Sequence, residues 1–168
     1  EYRKVYTANA NESVDVYDIA GNKTVVTVDI SNIDRTAPEV TATYSTKELT
    51  NGNVEVTLTT DEDVRSIEGF TKVDDRTYKK TYTSNAKEDV TVYDMAGNKT
   101  VVTVEVTNID KTAPEVEATY STKELTNGSV EVTLTANEDV RSVSGFTKVD
   151  NRTYKKTYTS NAKEDVTV

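Results

Sequence analysis

The sequence predicts an all-β chain built from tandem two-sheet β-sandwiches with Greek-key links, arranged end to end. Three observations carry this prediction: a long internal repeat, period-two alternation of Val, Thr and Tyr with charged residues, and turn residues at short intervals. The repeat is the strongest of the three. Asp34-Arg-Thr-Ala-Pro-Glu-Val40 returns as Asp110-Lys-Thr-Ala-Pro-Glu-Val116, so positions 34 and 110 define a period of 76 residues. Tyr2-Arg3-Lys4 obeys the same offset against Tyr78-Lys79-Lys80 and Tyr154-Lys155-Lys156, and Asp18–Asn22 against Asp94–Asn98. The expected domains are therefore 1–33, the C-terminal part of one repeat; 34–109, a complete repeat; and 110–168, a repeat lacking its last strands. Residues 110–168 differ from 34–92 at eight positions: Arg35/Lys111, Thr41/Glu117, Asn53/Ser129, Thr60/Ala136, Asp61/Asn137, Ile67/Val143, Glu68/Ser144 and Asp75/Asn151. Copies this close suit a module whose number matters more than any unique site, and the array is expected to continue beyond this window.

Within the complete repeat the elements follow in order. Val40, Ala42 and Tyr44 share one face of a first strand, and Val54, Val56 and Leu58 one face of a second, with Glu55, Thr57 and Thr59 facing water. Asn51-Gly52 between them, like Asn127-Gly128, predicts a tight turn with positive φ angles. A third run, 64–73, holds Gly69 as a bend or bulge. Tyr78 and Tyr82 belong to a further strand, Val90 and Val92 to the next, and Val102, Val104 and Val106 to the last. Asp94-Met-Ala-Gly-Asn98 joins these last two, with Asp94 accepting bonds from turn amides and Gly97 in the left-handed position. Pro38 precedes the first strand, where no amide donor is needed.

Composition narrows the function classes. Hydrophobic residues make up 35% of the chain, lean but ordered in a strand-like pattern, which argues against disorder. The chain has no Cys, so disulfides and thiolate chemistry are out, and no His. A net charge of −9 argues against nucleic acid, which requires a basic face. No stretch approaches the ~18 apolar residues of a membrane span. No serine sits in a strained glycine elbow, and the carboxylate pairs lie on turns rather than across a predicted cleft, so no enzymatic role is expected.

The junction Asp94-Met-Ala-Gly-Asn98, the Val/Thr strand after it, and Asn108-Ile-Asp-Lys-Thr-Ala-Pro114 together resemble bacterial immunoglobulin-like cell-surface repeats of the Big type. The run Tyr-Ser-Thr-Lys-Glu-Leu-Thr-Asn-Gly at 44–52 and 120–128 is similar to the start of such a repeat. The resemblance covers the whole chain. It implies an immunoglobulin-like sandwich, an extracellular setting on a bacterial cell surface or cell wall, and a stalk or adhesin role projecting a distal domain. The partners implied are neighbouring repeats of the same chain, identical chains in a fibre, or a host glycan or matrix protein. A self-assembling filament, in which 1–33 completes the truncated third repeat of a neighbour by strand exchange, is a further reading.

In an immunoglobulin-like topology one pole of the complete repeat gathers Asp34, Asp61, Glu62, Asp63 and Asp94, with Asp110, Glu138 and Asp139 at the next copy. These are hard oxygen ligands of the kind calcium takes, so no cofactor is required but Ca2+ at inter-repeat junctions is one expectation. A solvated acidic loop, with Asp94 capping its own turn, is the other. Lys80, between Tyr78 and Tyr82, is either an inward lysine in need of a partner, including the isopeptide partner that such surface sandwiches sometimes supply, or an outward one lying along the rings. The ten tyrosines are read as a sugar-stacking face or as ordinary strand residues with wet hydroxyls.

Overall fold

The computed structural model describes all residues, Glu1–Val168, and contains strands and turns but no helix. Two compact units are present, Glu1–Asp110 and Lys111–Val168. Every ladder joining the strands is antiparallel, and the architecture is consistent with a β-sandwich.

Unit 1 opens with a hairpin, β1 (Ala10–Tyr17) and β2 (Lys23–Ile30), which forms a two-stranded sheet by itself. The complete repeat then supplies β3 (Val40–Tyr44), β4 (Val54–Thr60), β5 (Val64–Ile67), β6 (Thr71–Asp74), β7 (Thr77–Tyr82), β8 (Ala86–Asp94) and β9 (Lys99–Val106). They form two sheets, one ordered β3-β4-β7-β6 and the other β5-β8-β9. Alternation dictates what these sheets bury. In β4, Val54, Val56 and Leu58 point inward, and in β7, Tyr78 and Tyr82 do. From the second sheet, Val64, Ile67, Val90, Val92, Val104 and Val106 meet them in one core, flanked by Val40, Ala42, Tyr44 and Phe70. Burying a Val or Leu side chain contributes ~1.5–3 kcal/mol, so this shared interior is the main source of stability in a unit so small.

The predicted third run, 64–73, divides into two strands belonging to different sheets. Gly69, at φ +77°, makes the reversal between β5 and β6. The Asn-Gly expectation is corrected by the backbone: neither Gly52 nor Gly128 takes a positive φ. The β3–β4 connection runs from residue 45 to 53, too long for a two-residue hairpin, and it is organised instead by hydroxyls. Thr50 Oγ1 accepts a bond from the Gly52 amide at 3.0 Å, and Ser45 Oγ one from the Glu55 amide at 3.0 Å.

Unit 2 contains β10 (Val116–Tyr120), β11 (Val130–Ala136), β12 (Thr147–Lys148) and β13 (Thr153–Tyr158), in one sheet ordered β10-β11-β13-β12. This is the first sheet of the complete repeat in the same register: Val116↔Ala136 repeats Val40↔Thr60, and Leu134↔Tyr154 repeats Leu58↔Tyr78. The second sheet is absent. Residues 162–168 have the same sequence as 86–92, the body of β8, yet form no strand. Val140 and Val143 stay buried, but the segment between them, strand β5 in the complete repeat, is irregular. The difference is one of pairing: β8 has β5 on one edge and β9 on the other, whereas residues 162–168 pair with no strand. Amide hydrogen exchange followed residue by residue should show this directly. The amides of Val90–Val92 are expected to be protected for hours, and those of Val166–Val168 to exchange at close to free-peptide rates despite an identical local sequence. Equal protection of the two segments would show that local sequence, not pairing, sets the strand.

Candidate functional site

The acidic pole is built around the β8–β9 turn. Asp94 is fully buried at the end of β8. Its Oδ1 accepts bonds from the amides of Gly97 (2.5 Å) and Asn98 (2.8 Å), and its Oδ2 from the Asn98 side-chain amide (2.7 Å). Burial by itself pushes this carboxyl up, but the Asn98 side chain and the amides of Gly97, Asn98 and Ala96 outweigh it and hold the group ionised below the usual Asp range. The Asn98 side chain also donates to the Asp34 carbonyl at 3.3 Å, tying the entry of the repeat to its last turn. The sequence-predicted turn is thus present, with Gly97 at φ +99°. The exposed hairpin repeats it: Asp18 accepts from the Asn22 amide and side chain, both at 2.7 Å.

Asp34, Glu62 and Asp94 are brought together, with a carboxylate oxygen from each lying within 4.8 Å of the others. Asp34 also accepts from the Thr36 amide at 3.0 Å. The other predicted acids have different partners. Asp61 accepts from the Glu39 amide at 2.8 Å, and Asp63 ion-pairs with Arg76 at 2.7 Å. In the next copy Asn137 keeps the first of these bonds, accepting from the Glu115 amide at 2.9 Å, which explains why Asp61→Asn is tolerated there. Asp139 keeps the second, with Arg152 at 2.8 Å. Glu138 Oε1 is buried without a hydrogen-bond partner, and the Asp110 amide donates to the Thr50 carbonyl at 2.9 Å. Three carboxylates converging on one point supply hard oxygen donors, but Asp94 has already committed both oxygens to its turn.

Convergence has an electrostatic consequence at Glu62. Partial burial, followed by Asp34, Asp94 and Asp61, raises its pKa above the ordinary value. A raised carboxyl binds its proton more tightly when folded. Its penalty is absent below the ordinary Glu pKa and grows as pH rises through the raised value, so at neutral pH the charge opposes folding.

A second cluster surrounds Lys80, which the sequence marks beside Tyr78 and Tyr82 but without its partner, Glu88. Lys80 Nζ lies 2.5 Å from Glu88 Oε1, and the Tyr82 hydroxyl donates to the same oxygen. The lysine amine also sits over the rings of Phe70 and Tyr82, 5.5 and 5.0 Å from their centroids. Lys80 is therefore neither inward and orphaned nor free in solvent: its stem follows the rings and its charge is paired. The Lys80 and Tyr82 bonds hold Glu88 below the ordinary carboxylate range, while burial and the bond to Glu88 push the Tyr82 hydroxyl well up. The trio recurs as Lys4–Tyr6–Glu12 and Lys156–Tyr158–Glu164. The signal available in the sequence was the recurrence of Lys, Tyr and Glu at a fixed mutual spacing in all three copies. Of the tyrosines, Tyr78, Tyr82 and Tyr154 are buried, whereas Tyr17, Tyr93 and Tyr120 are exposed.

Two substitutions test these electrostatics. Glu62→Gln should raise the thermal midpoint of the complete repeat at pH 7 by about 1–4 °C and have little effect near pH 3. Glu88→Gln should do the opposite, lowering stability at pH 7 by about 1 kcal/mol in urea titrations. Because the folded pKa of Glu88 is depressed, that difference should persist above the ordinary Glu pKa of about 4.3 and vanish as pH falls through its own lower value. No family model, curated protein or solved structure matches the chain.

Proposed function

We propose that the chain is a segment of a structural stalk on a bacterial cell surface. Immunoglobulin-like Greek-key sandwiches are strung end to end in it and hold a distal domain away from the wall. The observation that carries this reading is that the 76-residue sequence repeat is also a structural repeat. β10-β11-β13-β12 reproduces β3-β4-β7-β6 strand for strand and partner for partner. A chain that multiplies one module with so little change uses length rather than a unique surface.

The connections support stiffness. At the end of the complete repeat, Asn108 donates to the carbonyls of Thr46 (3.3 Å) and Glu48 (2.7 Å). Ile109 is buried and exchanges bonds with the Asn85 side chain at 2.8 and 3.0 Å. The Asp110 amide is held by Thr50, and the Glu115 amide by Asn137. Between those two anchored points lie four residues, one of them Pro114, whose fixed φ limits swivelling. The acidic, Thr-rich exterior keeps such an array soluble and discourages edge-to-edge pairing.

Small-angle scattering from a chain of two complete repeats tests the proposal. A stalk predicts a rod whose maximum dimension is about twice that of one repeat, at unchanged cross-section. A flexible pair of beads would sink the stalk reading. Repeating the measurement in calcium and in EDTA addresses the acidic pole: a rod that loosens in EDTA assigns a cation to Asp34, Glu62 and Asp94, and an indifferent rod leaves stiffness to the anchored, proline-bearing connection.

A further inference from the structure

The loop between the first two strands of the repeat holds both Asn-Gly pairs of the chain, Asn51-Gly52 and Asn127-Gly128. Asparagine is chemically labile, and most so before glycine. Its side-chain amide carbon can close a five-membered ring with the next backbone nitrogen, and glycine has no side chain to bar the approach. Elsewhere the fold holds its asparagines. Asn85 exchanges bonds with Ile109, Asn98 is tied to Asp94 and Asp34, and Asn108 donates to Thr46 and Glu48. Asn51 and Asn127 are exposed instead, in bends outside any strand. The amide after each donates to a threonine hydroxyl rather than to a ladder: Gly52 to Thr50 Oγ1 and Gly128 to Thr126 Oγ1, both at 3.0 Å. A Cβ at residue 52 would meet that hydroxyl at 3.3 Å, so the loop itself favours the glycine that makes the pair reactive.

We infer that Asn51 and Asn127 are self-modifying sites, which convert to isoaspartate with water as the sole co-reactant. The Gly52 nitrogen bonds to Asn51 Cγ, the Cγ–Nδ2 bond breaks, and Nδ2 leaves as ammonia, taking the proton of the glycine amide. Water then opens the succinimide between the Asn51 carbonyl carbon and the Gly52 nitrogen. The main chain now runs through Cβ and Cγ, and the former peptide carbonyl is a free carboxylate whose proton goes to the ammonia. Residue 127 reacts in the same way with Gly128. The modified residue adjoins the point where the exit of the complete repeat is held. The Thr50 amide donates to the Asn108 carbonyl, and the Thr50 carbonyl accepts from the Asp110 amide, each at 2.9 Å. An extra methylene in the main chain one residue later carries Gly52 away from Thr50 Oγ1, and the new carboxylate adds charge to a chain already at −9. The product therefore loosens the grip of Thr50 on 108–110. Each repeat carries a one-way clock that runs faster as pH rises, because the glycine nitrogen must lose its proton to attack.

Incubating the full chain in warm, mildly alkaline buffer, with peptide mapping at intervals, tests this. The tryptic peptides 48–65 and 124–141 should each gain about one mass unit, placed by fragmentation at 51 and 127 and identified as mainly isoaspartate. Asn85, Asn98 and Asn108 should stay intact over the same period. In the aged chain the amides of Thr50 and Asp110 should exchange roughly 3- to 10-fold faster, as expected for the loss of one intramolecular hydrogen bond. The Ile109 amide, which Asn85 holds, should keep its rate. Asn51→Gln needs a larger ring to react, so that variant should keep its mass at 48–65 and its exchange rates while residue 127 converts as before. A chain that stays intact where a free peptide of sequence 48–65 converts overturns the proposal, and so does conversion spread evenly over all asparagines. Conversion at 51 with unchanged exchange at Thr50 and Asp110 overturns the loosening.

Discussion

The interior of this protein depends on one constraint: β8 needs a hydrogen-bonding partner on each edge before the second sheet can exist. When β9 and β5 are both there, Val90, Val92, Val104 and Val106 are carried over the inner face of β4 and β7, and Val54 and Tyr82 are buried where their unit 2 counterparts, Val130 and Tyr158, are only half-buried. Where no strand pairs beside them, identical residues at 162–168 make no strand, and the facing sheet remains open. The isolated hairpin shows the converse. It keeps its ladder, but with no facing sheet its valines point into water. Residues 1–6 align with β7 at the 76-residue offset and likewise form no strand. Edge pairing and face packing are thus separable here, and only the complete repeat satisfies both.

Electrostatics follows the same hierarchy. The Lys–Tyr–Glu trio is made of short-range contacts along one strand and the next, so it survives in all three copies, including those without a second sheet. Asp94 belongs to the local kind as well, since its turn supplies its donors and Asp18 repeats most of them in the exposed hairpin. The approach of Asp34, Glu62 and Asp94 is different in kind. Those residues come from three separate segments and meet only because the complete repeat closes on itself. Their mutual repulsion, felt most at Glu62, is a cost of that closure rather than a property of any one loop.

Much of this was legible beforehand. Alternation set Val54, Val56 and Leu58 on the face opposite Glu55, Thr57 and Thr59, and that face is the buried one, because a strand with one wet face must segregate its residues at period two. The Asp94 turn was legible because an Asp and a Gly at that spacing have few other uses. Gly52 was misread: an Asn-Gly pair signals a tight hairpin only when the flanking strands lie close in sequence, and here the loop is too long for that geometry. Asp61 and Asp63 were grouped with Glu62 because they are its neighbours in sequence, yet side chains of successive residues diverge, and each found a partner elsewhere. Lys80 was noticed without its partner, since nothing local says that Glu88 lies across the turn from it.

By itself, the sequence determined the repeat, the all-β character, the inward and outward faces of each strand and the Asp94 turn. All of these are written in spacings of a few residues or in plain recurrence. Only the tertiary structure decided which copies of a given sequence become strands, which acids meet, and which valines are buried. Those outcomes depend on partners dozens of residues away, and one seven-residue sequence can be a central strand at 86–92 and irregular chain at 162–168. A strand's backbone bonds are made to another segment, so its stability is never contained in its own residues.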